Sequence, residues 1–452
     1  MVQIYKAPKT SNNRKKNSGS SRVLERLTAK ITRMDHMGQG VVSDHSPIIF
    51  ATGGLPGETC ELDVVEQKPR YWKAKVNRVL SASASRIEPF CQHFDVCGGC
   101  QTQFIKPQVL IEQKQAAVTD LLLKFNVDSD DCWQSPLLGP TVDYRRKTRF
   151  SIDARNKNKI QIGFRQKDSK QIVSIASCEV LTKPLQALIN PIQDCITKMH
   201  NPVVIGHITL LQGANVEQVC LRLMRQLDEY DLALWKLFAK SSQCQVVLER
   251  KDGSSELLAG HDASLFYYAQ EDLKLEISAN DFVQVNDEIN QAMIKQAITW
   301  LDLHSTDTLL DLFCGVGNFS LPMALSCHHV IGVEGLANMV QKAKRNAQIN
   351  SIDNCTFLCE DLSQMTQKLA NSFHTCNKIL LDPAREGARG ILAQLSKNEP
   401  THILYVSCNP ATFARDAAEF CEMDYQIDKI ALMDMFPNTA HTELMALFVR
   451  DN

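Results

Sequence analysis

No apolar run in this 452-residue chain approaches the roughly 20 residues that a helix needs to cross a bilayer. Its opening stretch, MVQIYKAPKTSNNRKKNSGSSR, lacks the apolar core of a secretory signal. Membrane and exported classes are therefore not expected, and a cytoplasmic location is. Internal repeats are absent, as is any low-complexity tract beyond that first stretch. Net charge is nearly missing too, at -2, while a 44% hydrophobic content is enough to fill more than one core. A globular chain of about three domains follows from the length.

The small net charge conceals two basic segments. Residues 1–33 hold nine Lys/Arg against Glu25 alone, and residues 145–170 hold ten against Asp153 and Asp168. A charge run is usually just a solvated face, but two in one chain favour a polyanionic partner such as nucleic acid. Sixteen cysteines with no export signal are poor disulfide candidates in a reducing compartment. Clustered ones are read as metal, cluster or catalytic residues, and scattered ones as core thiols.

Residues 1–21 are polar and basic and are expected to be a flexible arm. Over 22–80, short alternating runs such as LTAKIT, PIIFA, CELDVVE and AKVNRVL are separated by Gly and Pro turns, which predicts a small oligonucleotide-binding-like β-barrel. Residues 86–283 form a central α/β unit with a cysteine-rich loop, an amphipathic helix around Pro107–Phe125 and basic strands between Tyr144 and Val173; its topology is not legible. From about Thr306 the apolar runs TLLDLFC, HVIGVE, TFLCED, KILLDP, HILYVSC, IDKIALMD and LMALFVR alternate with helical segments. That predicts a doubly wound, Rossmann-like α/β domain, taken as 284–452, with ligands at the carboxyl ends of its strands.

At that end, Gly315-Val316-Gly317 follows the strand closed by Asp311 and opens a helix. Glu334 closes the next strand, 23 positions on, where a carboxylate can accept from both ribose hydroxyls. Ser320 stands where a dinucleotide fingerprint has its third glycine, which favours S-adenosyl-L-methionine over a pyrophosphate cofactor. Asp361, after the third strand, is placed to meet an adenine amino group, or is simply a turn residue.

Two further strand tips carry the chemistry. LLDPAREG places Asp382 at one and LYVSCNPATFARD places Cys408 at another, while HTELMALFVR puts Glu443 at the start of a returning strand. A cysteine and a carboxylate could thus flank one base. Uracil C5 is a poor nucleophile until a thiolate adds at C6 and makes the ring an enolate able to take a methyl group. The C5 proton must then leave, and a carboxylate is a suitable base for it.

Taken together, SCNPATFARD, HTELMALF, LDPAREG and DLFCGVGNFS resemble the signatures of the RNA uracil-C5 methyltransferases. The resemblance implies Cys408 as nucleophile and Glu443 as base. It implies S-adenosyl-L-methionine contacts from Gln284, Phe313, Asn318, Glu334, Asp361 and Asp382. Residues from Arg22 to about Leu80 resemble a TRAM domain, a small RNA-binding barrel. Cys91, Cys97 and Cys100, with Cys178, resemble the ligands of a 4Fe–4S cluster in the rRNA-modifying members. Spacing alone allows a structural zinc equally, and Cys132 is also available as a fourth thiolate. Carrying both features is similar to the members acting on 23S rRNA, so a loop uracil of 23S rRNA, flipped from its stack, is the implied substrate. Nothing asks for an oligomer, and a monomer is expected. The rivals are another rRNA or tRNA site, a radical methylthiotransferase, an RNA cytosine methyltransferase and an inactive iron–sulfur RNA-binding factor. The cytosine enzymes resemble one another in a second cysteine after the proline of the fourth strand, where this chain has Ala384.

Overall fold

The computed structural model describes residues 23–157, 159–364, 366–392, 395 and 400–450; the arm expected over 1–21 lies outside them. Among the described residues no helix is long and apolar enough to cross a membrane.

Strands β1 (Glu25–Lys30), β2 (Arg33–Met34), β3 (Gly40–Val42), β4 (Ile48–Thr52), β5 (Thr59–Gln67) and β6 (Tyr71–Ser81) form a sheet ordered β1-β5-β6-β4-β3-β2. Its two edges belong to one bent segment. Ile31 donates to Glu58 on the β5 side and Thr32 to Val41 on β3, so the segment closes the sheet around Ile31, Ile49, Leu62 and Val64. Alternate residues of β5 point inward, the period that a half-buried strand requires.

A second sheet runs β13-β12-β11-β10-β7-β8-β9, built from β7 (Lys147–Asp153), β8 (Gln161–Arg165), β9 (Ile172–Ser174), β10 (Ile205–Gln212), β11 (Glu217–Leu223), β12 (Gln245–Glu249) and β13 (Ser255–Ala259). Helices Ile189–Lys198 and Glu229–Ser241 pack on it through Ile192, Ile196, Trp235 and Phe238. A hairpin, β14 (Phe266–Gln270) and β15 (Leu273–Glu276), follows.

The third sheet contains β16 (Thr308–Leu312), β17 (His329–Glu334), β18 (Cys355–Cys359), β19 (Lys378–Leu381), β20 (His402–Ser407), β21 (Gln426–Met433) and β22 (Glu443–Val449). Its order is β18-β17-β16-β19-β20-β22-β21, parallel except where β22 inserts antiparallel between β20 and β21. Both faces are covered, which is why these strands read as unbroken apolar runs. The strand order reverses between β16 and β19, and a crevice opens there at the carboxyl ends.

Packing cuts across the division at 283/284. Ile111, Val118 and Leu122 of the helix Pro107–Lys124 join one apolar face of the third sheet, and Tyr267, Leu273 and Leu275 of the hairpin join the other. Trp133 and Leu137 bridge to Ile430 and Met433 of β21. These segments belong to the core of the last sheet because their apolar faces have no other layer to cover them.

Candidate active site

The loop after β16 is shaped for backbone exposure. Phe313, Gly315 and Gly317 all have positive φ, at 69°, 55° and 93°. A Cβ on Gly315 would meet nothing within 4 Å, so its face is open to the crevice. Glu334 holds this loop by accepting from the amides of Gly315 (3.2 Å) and Leu336 (3.0 Å). Beneath it, buried Asp311 is bonded to the Ser320 hydroxyl.

A cavity of about 800 Å³ spans this region and is lined by Gln284, Phe313, Glu334 and Asp382, and also by Cys408 and Glu443. The two remaining cofactor candidates lie elsewhere. Asn318 exchanges carboxamide hydrogen bonds with Asn290 (2.9 and 3.1 Å) and accepts from the Tyr267 hydroxyl (2.8 Å), which fixes the loop from below. Asp361 is exposed and folds back onto its own turn, accepting from the Ser363 amide and hydroxyl at 2.9 and 2.7 Å.

Register brings the reactive pair together. The β20–β22 ladder ends at Ser407 opposite Leu444, so Cys408 and Glu443 occupy the next step beyond it. Cys408 directly precedes Asn409, which caps the helix Pro410–Glu422 by accepting from Ala411 at 3.2 Å. The Asn409 and Thr412 side chains donate to the Arg385 carbonyl at 2.9 and 3.2 Å, tying the Asp382–Gly387 turn to that helix. Within SCNPATFARD, Asp416 is wholly structural: buried, it accepts from the Tyr405 hydroxyl and the Ala388 amide, both at 2.7 Å.

Burial dominates the electrostatics here. It pushes the Cys408 thiol up to about 11, with Glu443 and Asp382 adding to the effect and Arg385 opposing it. Glu443 is held well above the usual carboxylate range by burial and then by Asp382, against Arg385 and Lys114. Asp382 is raised by burial to about 7. The N-terminus of the following helix acts the other way on Cys408, since its dipole favours a thiolate. Burial thus favours the protonated forms of Cys408 and Glu443, and Arg385 opposes it at both.

Cys91, Cys97, Cys100 and Cys178 line the same cavity. Cys100 and Cys178 are raised to about 11 and about 12, chiefly by burial and then, among other causes, by neighbouring cysteines of the set. Cys132 is elsewhere, its thiol donating to the Ile427 carbonyl at 2.9 Å. Among the described residues, the one set of three or more Cys, His, Asp or Glu with ligand atoms within 4.8 Å of one another is His200, Asp228 and Asp231. No three of the cavity cysteines therefore have their sulfurs all within 4.8 Å of one another.

A family profile described as tRNA (Uracil-5-)-methyltransferase matches residues 106–451. The chain belongs to this uracil-5-methyltransferase family. It is 40% identical over 452 residues to the 23S rRNA (uracil(1939)-C(5))-methyltransferase RlmD of Shewanella amazonensis, covering 99% of both chains. With the RlmD of Shewanella frigidimarina it shares 41% over 463 residues, again 99% of both. The fold matches that of the Pyrococcus abyssi tRNA (uracil-54, C5)-methyltransferase solved with S-adenosyl-L-homocysteine, with a TM-score of 0.71 at 23% identity, covering 93% of this chain and 99% of that one.

This family member also carries cavity residues that sequence reasoning did not single out. Arg385 lies one residue past Ala384 in a motif already noted, and its guanidinium is 3.4 Å from His441 Nδ1. Phe282 is 71% exposed yet lines the cavity, two residues before Gln284. Arg145 and Arg149 line it as well. The charge of 145–170 was visible in sequence, but not that part of it forms a wall of the site.

Proposed function

We propose that this chain methylates C5 of a uracil in 23S rRNA, with Cys408 adding to C6 and Glu443 removing the C5 proton. The names of its full-length relatives point to uracil 1939, and the same target is proposed here. The observation that carries the mechanism is that Cys408 and Glu443, one step beyond the last β20–β22 pair, line one cavity together with the glycine loop.

S-adenosyl-L-methionine, when bound, supplies an electrophilic methyl group on a positively charged sulfur. Glu334 and Asp382, with Gln284 and Phe313, are the cavity residues that would hold it, and Asp361 and Asn318 complete the proposed set from outside the cavity wall. Cys408 must first lose its proton to solvent, which Arg385 and the helix N-terminus favour, and Glu443 must likewise be ionised before it can act as the base. Its thiolate then forms a bond to C6, the C5=C6 electrons move to C5, and C5 takes the methyl group. Glu443 accepts the C5 proton, the double bond re-forms and the Cys408–C6 bond breaks, returning the thiolate. A carboxylate with raised proton affinity is the stronger base once ionised, which suits Glu443 to this step.

Cys91, Cys97, Cys100 and Cys178 are proposed to hold a 4Fe–4S cluster; they line one cavity, and four thiolates are the usual ligand set of such a cluster. The 25–81 barrel is proposed to be a TRAM-like RNA-binding unit, supported by the exposed Arg70, Lys73, Lys75 and Arg78. The remaining proposals are a cytoplasmic monomer and a target uracil that is flipped out of a loop.

The test is transfer of labelled methyl groups from S-adenosyl-L-methionine to unmodified 23S rRNA, with the product nucleotide mapped by mass spectrometry. Label in 5-methyluridine at one 23S position is expected. Label only in tRNA would move the substrate, and no label with retained rRNA binding would leave a binding factor.

A further inference from the structure

Glu443 is the first residue of β22, so its position depends on the loop 434–442 that precedes it. Remote segments of the chain hold that loop. The amides of Gln101 and Thr102 both donate to the Asn438 carbonyl, at 3.0 and 3.1 Å. The Gln101 side chain accepts from the Ala440 amide at 3.3 Å and donates to the Gly98 carbonyl at 2.8 Å. Lys114, whose side chain is 4% exposed, donates to the His441 carbonyl at 2.7 Å and lies 3.7 Å from Asp434. Tyr144 donates to the Pro437 carbonyl, and Asn438 donates to that of Thr141. Asn438 itself sits at φ 65°, a left-handed turn that needs such outside support.

We propose that Gln101 and Lys114 are positioning residues for the base, and that the cysteine loop acts as a clamp on the segment leading to Glu443. This rests on Glu443 being the base. Gln101 directly follows Cys100, and its carboxamide bridges Gly98 to Ala440, so the order of the cysteine loop is passed to the base loop through this side chain as well as through the Gln101 and Thr102 amides. Lys114 supplies a buried cation that fixes the His441 carbonyl and faces the Glu443 carboxyl electrostatically. Neither residue touches the reacting atoms.

A base displaced by an ångström should slow proton removal about 10- to 100-fold while leaving nucleophilic addition intact. Gln101→Leu and Lys114→Met are compared with wild type and Glu443→Gln in the full-length protein. Lys114→Met/Asp434→Asn is made alongside because the single change leaves a buried carboxyl unpaired. Two rates are measured: adduct formation with 5-fluorouracil RNA, where there is no C5 proton to remove, and release from ordinary RNA. The expected result is a wild-type rate on the fluorinated RNA, with slowed release and methylated Cys408 adduct accumulating on ordinary RNA. A parallel fall in both rates, or no change in either, would overturn the clamp. If Glu443→Gln itself traps no adduct, the base assignment fails and this inference fails with it. If Glu443→Gln traps adduct and the other variants do not, the clamp alone is rejected.

Discussion

Two stretches of one cavity wall are built on the same functional group. At Cys408 a single thiol faces Glu443, Asp382 and Arg385 and sits at a helix N-terminus; at Cys91, Cys97, Cys100 and Cys178 the main neighbours of each thiol include other thiols. Burial raises the proton affinity of Cys408 and of Cys91, Cys100 and Cys178. What differs is the charge that could relieve it. On the proposed function, a cation and a helix dipole would help release one proton at Cys408, whereas Cys91, Cys97, Cys100 and Cys178 would need a multivalent cationic group to be deprotonated together. The two places thus differ more in their neighbours than in exposure.

The largest expected effect separates the two completely. Cys408→Ala should give neither product nor adduct, with iron content unchanged; product formation in this variant would mean that another thiol can serve. Next, Glu443→Gln should lower turnover by about 100- to 10,000-fold. It should also leave methylated Cys408 adduct on denaturing gels, and wild-type turnover would strip Glu443 of its role.

A pH series sharpens the contrast at the nucleophile. Only the thiolate reacts, and a thiol raised to about 11 is almost wholly protonated at neutral pH. Iodoacetamide labelling of Cys408 in the free protein should therefore rise about tenfold per pH unit from about pH 7 to about pH 10. A plateau below about pH 8 would show that Arg385 and the helix dipole already outweigh burial.

At the other stretch, Cys100→Ser or Cys178→Ser should reduce bound iron from about four per chain toward none. Melting should fall by about 2–4 °C for each kcal/mol lost. Amide exchange over 437–442 should quicken if the cysteine loop secures that segment. Unchanged iron would separate these thiols from any cluster. The smallest change should come from Arg70→Ala/Arg78→Ala on the barrel, which touches neither stretch. It should weaken rRNA binding and reduce the salt slope by about two, with methyl-donor binding unchanged; an unaltered slope would remove the barrel from the RNA interface.

The third sheet was legible because its strands are covered on both faces and read as continuous apolar runs, and its tips carried Asp382, Cys408 and Glu443 into one cavity as the motifs implied. The central unit was not, because pairings such as parallel β11–β12 are non-local and leave no periodic trace. Asn318 belongs to the glycine-loop signature, and the motif does not announce that its side chain hydrogen-bonds to Asn290 and Tyr267. Lys114 shows a different limit. A lysine on an amphipathic helix reads as a solvated face, and only the tertiary approach of the 434–442 loop turns it into a buried donor.

The insertion of β22 between β20 and β21 also bears on the order of events during synthesis. Cys408 is made 35 residues ahead of Glu443, and until β22 exists the two strands that will flank it have nothing to pair through. A growing chain can contain the glycine loop, β20 and Cys408 while the sheet still has a gap beside them. Filling that gap completes the sheet and sets the carboxylate beside the thiol in the same step. On the proposed mechanism, a molecule still lacking β22 would be chemically silent toward release.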